Sequence, residues 1–201
     1  QVIWGTLLLL TIYSCQKKDN NDPENVKQEN TTTPTSDKKT AFKAYITSLN
    51  SIPLPFLHTT NEEQKNSTFA NISPNYDTAG FATFKTEQAV KPLGILQQNE
   101  TFVSVVELAE SAWDLIPILC IYDWNGNKID SLSLYETTGD DMGYSAREYL
   151  NFKSESLIIK TDSITTWELT PDATDIIEET QKTTSKSKKI HISPQGKIKV
   201  I

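Results

Sequence analysis

Apolar positions fall into three regimes along this chain. Val2 to Tyr13 is a nearly unbroken apolar run, Gln16 to Lys39 holds one aliphatic residue, Val26, and periodic patterning begins at Phe42. Phe42, Tyr45, Ile46 and Leu49 recur at helical spacing, so Lys39 to Asn50 is predicted to be a short amphipathic helix. Pro53 and Pro55 then impose extended chain, and His58 to Ser67 reads as a polar loop. From Ala79 the short apolar runs predict strands at Gly80 to Lys85, Leu93 to Gln97, Thr101 to Leu108, Leu115 to Trp124, Lys128 to Tyr135, Arg147 to Lys153, Leu157 to Thr161, Ile164 to Leu169, Lys189 to Ser193 and Lys197 to Ile201. Strands and helices do not alternate. The expectation is a mainly β domain over 40–201, an antiparallel meander closing as a sandwich, a barrel or a small propeller-like sheet, with one short N-terminal helix.

Three turns carry their own chemistry. Asn125-Gly126 between apolar runs predicts a two-residue type I′ hairpin, setting Trp124 against Asn127, Asp123 against Lys128, Tyr122 against Ile129 and Leu119 against Leu132. Asp162-Ser163 predicts a second hairpin, with Ile158 facing Trp167 and Lys160 facing Thr165. Ser193-Pro194-Gln195-Gly196 places Pro second and Gly fourth, as a type I turn prefers.

The first apolar run, about a dozen residues, has the length of a signal-peptide core and falls short of the roughly 20 that a spanning helix needs. It opens on Gln1 without an initiator Met or basic region, so further residues upstream are expected. It ends in Ile12-Tyr13-Ser14-Cys15, which resembles the lipobox of bacterial lipoproteins. That resemblance implies residues 1–14 as signal peptide, Cys15 as the lipidated mature N-terminus, and attachment to a membrane through acyl chains. Residues 15–39 are too polar to offset their ordering entropy and read as a tether. Lys18-Asp19 resembles the basic-acidic export signal of surface lipoproteins of Bacteroidota, although Asn20 stands where a second acid is usual. The implied place is the outer membrane, on its cell-surface or periplasmic face.

Charge narrows the partners. With 19 Lys and Arg against 26 Asp and Glu, the net charge of −7 repels phosphate backbones, and Lys182 to Lys189 reads as a basic loop, so nucleic acid is not expected. Only seven Gly argue against phosphate-cradling loops.

Candidate chemistry is sparse. Asp123 to Asp130 alternates oxygen ligands, but a calcium loop of EF-hand type wants Gly sixth and Glu twelfth, whereas Gly126 is fourth and Leu134 twelfth; a plain hairpin accounts for the stretch. Asp140 and Asp141, flanked by glycines and Tyr144, could meet a cation or a sugar hydroxyl; adjacent carboxylates on a turn seldom face each other across a substrate. Trp113, Trp124, Tyr144 and Tyr149 stand near strand ends, where aromatics stack on sugars or cap a core. Asp140, Asp141, Tyr144 and Trp124 are therefore the candidate binding residues. Cys120 in an apolar strand reads as a buried inert thiol, His191 as solvent-facing, and His58 and His191 as too isolated for a zinc site. No catalytic set, metal or cofactor is predicted.

The stretch from Ile118 through Trp167, with Gly196-Lys197-Ile198, resembles a hairpin pattern in uncharacterised exported proteins of Bacteroidota, which implies fold and compartment but no activity. Asp77-Thr78-Ala79, Asp130-Ser131-Leu132 and Asp162-Ser163-Ile164 resemble the O-glycosylation signal of such proteins, with Thr78 and Ser163 expected to be more exposed than Ser131. The function expected is a lipid-anchored, non-enzymatic binding or structural module that meets an envelope protein or glycan. The alternatives are a glycan-directed hydrolase using Asp140 or Asp141 with Glu107, Glu110 or Glu148, and an inhibitor or assembly factor acting by strand addition at an edge such as the C-terminal strand.

Overall fold

The computed structural model describes residues 35–59, 80–110, 115–136 and 138–201. The expected signal peptide, Cys15, most of the expected tether, Thr78 and Trp113 lie outside them.

The domain is mainly β, built from two antiparallel sheets with short helices on one side. Sheet I is the meander β2 (Ala89–Gln98), β3 (Phe102–Glu110), β4 (Leu115–Asp123) and β5 (Lys128–Ser133). Sheet II runs β1 (Phe56–Thr59), β7 (Tyr144–Ser154), β8 (Leu157–Leu169), β9 (Ile176–Ile192) and β10 (Ile198–Val200), with β6 (Gly139–Asp141) also on β7. Neither sheet closes into a barrel. The helix at the start spans Thr35–Thr47, earlier at both ends than the spacing predicted, and is α1; Phe81–Phe84 is a single-turn α2 where a strand was expected.

Sheet I is apolar on both faces because both are covered. Phe102, Val106, Leu108, Leu119 and Ile121 point into the core shared with sheet II, where they meet Phe56, Leu150, Phe152, Ile158, Ile190 and Ile192. Val103, Val105, Ala109, Ile118, Cys120 and Tyr122 point the other way, onto Phe42, Tyr45, Ile46, Leu49, Phe81 and Phe84 from the helices. Strand period two thus accounts for the near-continuous hydrophobic runs of β3 and β4. Phe42 and Phe84 meet edge to face at 5.0 Å between ring centres, and Tyr45 stacks on Phe84 at 5.6 Å. Chain at 50–52 lies against β2, with Ile95 N donating to Asn50 O at 2.9 Å and Ile52 N to Ile95 O at 2.8 Å. Only glycine fits at position 94, where a Cβ would stand 2.6 Å from Asn50 O.

Two of the three predicted turns need correction. The β4–β5 turn passes through Trp124, Asn125 and Gly126, with only Gly126 at positive φ (78°), and not through a two-residue type I′ loop. Asp123 is the reason: its carboxylate accepts from Asn125 N at 2.9 Å and Asn127 N at 2.8 Å, fixing a three-residue turn with a bulge beyond it. Leu119 still faces Leu132, but Tyr122 faces Lys128 instead of Ile129. Asp162-Ser163 makes no turn, since β8 runs straight through it. The final turn is where it was expected, with Gly196 N donating to Ser193 O at 2.9 Å.

Candidate functional site

The strands of sheet II outlast the core. Ile158 and Ile190 are cross-strand partners inside it, and from there β8 and β9 continue as a ribbon, with β7 pairing the other side of β8 as far as Thr166, in which Thr161 faces Ser187, Ser163 faces Ser185 and Thr165 faces Thr183. The hydroxyls join across the strands, Thr161 to Ser187 at 2.8 Å and Thr165 to Thr183 at 3.0 Å, so polar pairs replace packing as what holds the ribbon together. Gln181 to Ser187 is exposed at every residue, on both faces. Lys182 to Lys189, expected to be a loop, lies within this strand. Below it the ladder breaks: Thr166 faces Lys182 but Glu168 faces Ile177, leaving 178–181 as a wide bulge, where the Thr180 hydroxyl accepts from Glu168 N at 2.7 Å.

Where the ribbon leaves the core it crosses an ion cluster with a buried centre and an exposed rim. Lys160 and Glu148, both nearly free of solvent, pair at 2.6 Å; Asp162 and Glu136 stand 3.7 and 3.6 Å from the same ammonium, and Lys188 reaches Glu136 at 3.3 Å. Glu148 also accepts from Glu136 N at 2.9 Å and from the Thr138 hydroxyl at 2.7 Å, latching the segment that crosses from sheet I to sheet II. Burial raises the Glu148 carboxyl, but Lys160 and these donors outweigh it and hold it below the usual carboxylate range. For Asp162 burial wins, helped by the charge on Glu148, and its carboxyl is pushed up despite Lys160. Sequence reasoning missed this cluster, because a Lys inside an apolar strand pattern signals a solvent face until its partner on β7 is known.

A second buried carboxylate, Glu107, sits on the helix side of β3. It accepts from Thr86 N at 2.8 Å and the Thr86 hydroxyl at 2.7 Å, while the Tyr122 proton is shared between Phe84 O at 2.6 Å and Glu107 at 3.0 Å. These bonds pin α2 to sheet I. Burial, then the charge on Glu107, pushes both the Cys120 thiol and the Tyr122 phenol far above their ordinary values. Cys120 is a free thiol without access to solvent.

Asp140, Asp141 and Tyr144 come together in the β6–β7 hairpin, where Asp141 faces Tyr144 and Asp140 faces Ser145. The Arg147 fork grips Asp140 through both oxygens at 2.8 and 2.9 Å and holds its carboxyl low, and Asp141 accepts from Met142 N at 2.7 Å. Trp124 is elsewhere, at the β4–β5 turn of sheet I, with its indole donating to Asn99 O at 2.7 Å. The carboxylates considered for hydrolysis are thus spread over separate places: Glu107 under the helices, Glu148 against Lys160, Asp140 on Arg147.

His58 belongs to β1, not to a loop, and faces Leu150 on β7. It is 3% exposed and stacks on Tyr135 at 5.3 Å; burial lowers its pKa to about 3, against a hydrogen bond to the Leu115 backbone that acts the other way. His191 is half-buried on the opposite face of sheet II. Ser131 is exposed and Ser163 half-buried, the reverse of the expected order, because Ser163 lies mid-strand in β8 and Ser131 lies on β5, the outer strand of sheet I. Among the described residues no group of three or more His, Cys, Asp or Glu is placed to hold a metal ion, and no helix is long and apolar enough to cross a membrane. In comparisons with known proteins the chain matches no family model, no curated protein and no solved structure.

Proposed function

We propose that this chain is a lipid-anchored envelope lipoprotein of the Bacteroidota type, held to the outer membrane through Cys15, whose β domain is a non-enzymatic binding module. Its contact element is the β8–β9 ribbon. One observation carries this reading: Lys182 to Ser187 forms regular strand with both faces exposed and no core beneath it. β7 pairs the other side of β8 as far as Thr166, so β9 is the outer strand of this part of sheet II, and a partner laid against it supplies the burial it lacks. The partner class is an envelope protein or glycan. The lipobox-like end of the first apolar run supports the anchor.

Photo-cross-linking in intact cells tests the reading. A cross-linking side chain at Ser185 is expected to give discrete adducts, and one at the exposed Lys128 of sheet I only background. Cys15→Ala is expected to move the protein from the membrane to the soluble fraction. Equal background at both positions would remove the ribbon as contact element, and unchanged membrane association of the Cys15 variant would remove the anchor.

A further inference from the structure

The open edge of β9 has a defined direction, length and charge. Lys189 exchanges two backbone bonds with Ile201, each 2.8 Å, so its N–H and C=O point to the side on which β10 pairs. Strand period two aims the N–H and C=O of Ser187, Ser185 and Thr183 the same way, and among the described strands none covers them. The register of β9 against β8 is unbroken from Lys182 to His191, so this edge is regular. It is bounded by the end of β10 above and the bulge at 178–181 below. Three outward residues, each with a donor and an acceptor, are a template for one more strand.

Charge selects what fits. Lys182, Thr184 and Lys186 share one face of the strand and are exposed, and neither Lys has an ion-pair partner among the described residues, whereas Lys188 is taken by Glu136. Across a newly added strand, the positions opposite Lys182 and Lys186 lie on one face, four residues apart. A second copy of the chain suits the slot poorly. Pairing two β9 edges about Ser185 sets Lys182 against the copy's Lys188, and pairing them about Thr183 runs into the bulge. Resting on the ribbon as the binding element, we propose that β9 accepts an extended acidic segment of a partner protein as an added strand along Thr183 to Ser187. Acids on that segment answer Lys182 and Lys186, and small polar or β-branched residues lie between them.

A fluorescent peptide of about nine residues, with two Glu four apart among Thr and Val, is the probe, titrated into the full-length chain by anisotropy. It is expected to bind at least about tenfold more tightly than the same peptide with Lys in place of Glu. Methylating its backbone nitrogens on the edge that meets β9 is expected to abolish binding, and the double variant Lys182→Glu, Lys186→Glu is expected to reverse the preference between the two peptides. Equal binding of the acidic and basic peptides, indifference to methylation, or no effect of the charge reversal would each overturn strand addition. A chain that sediments as a dimer and stays so with saturating peptide would assign the edge to a second copy and also overturn it. Glycan-bearing adducts at Ser185 in cells, with no peptide binding, would end strand addition and leave the ribbon as contact element. Peptide binding with no adducts at Ser185 would end the ribbon's assigned role.

Discussion

Replacing His58 with Leu is expected to flatten the pH dependence of stability between about pH 6.5 and 5. In the parent, His58 is neutral and buried between the sheets, beside Tyr135 and opposite Leu150, with its folded pKa near 3. In the unfolded chain the imidazole titrates at about 6.5. Between those values the unfolded chain carries a proton that the folded chain does not, so folding weakens as pH falls through this window. Each pH unit amounts to about 1.4 kcal/mol, or about 2 kcal/mol from pH 6.5 to 5, a sizeable share of a typical domain's stability. Below about pH 4.5 the protonation of carboxylates adds to the loss, which is why the upper window isolates the histidine. Urea unfolding followed by Trp fluorescence at several pH values measures the slope directly, and the slope, unlike the absolute stability, does not depend on how well Leu packs. A parent whose unfolding free energy is flat over this window, or a Leu variant that keeps the parent's slope, would refute the burial argument.

Lys160→Met should cost about 3–5 kcal/mol by leaving Glu148 buried without its cation, and adding Glu148→Gln should recover part of it; a single variant within 1 kcal/mol of the parent in denaturant titrations would contradict the pairing. The stability that Glu148 contributes through its lowered pKa is present above the ordinary carboxylate range and is lost as pH falls below it, so Glu148→Gln should make acid unfolding below about pH 4.5 shallower. Gly126→Ala should destabilise by about 2 kcal/mol or more, because residue 126 holds φ at 78° and a Cβ there would come within 2.9 Å of Phe84 and 3.0 Å of Phe42; an unchanged thermal midpoint would count against the packing of the helices on the β4–β5 turn.

Sequence alone determined the class of the fold and much of sheet I. Runs such as Phe102 to Ala109 and Leu115 to Tyr122 specify strands by their own composition, and Ser193-Pro194-Gln195-Gly196 specifies its turn, because those preferences are settled within a few residues. The covered second face of sheet I was visible only as the absence of alternation. Tertiary structure decided the rest. β9 contains almost no hydrophobic signal between Thr180 and Lys189, and it is a strand because β8 offers it a backbone ladder and matching hydroxyls, partners that no window of its own sequence contains. Asp162-Ser163, which looks like a turn by residue type, stays extended because β7 and β9 pair it from both sides. Lys160 is buried only because Glu148, Glu136 and Asp162 converge on it from the chain around it. His58 likewise became a core residue through its place opposite Leu150. Burial and long-range pairing depend on which distant segments meet, so they enter the physics only when the sheets come together.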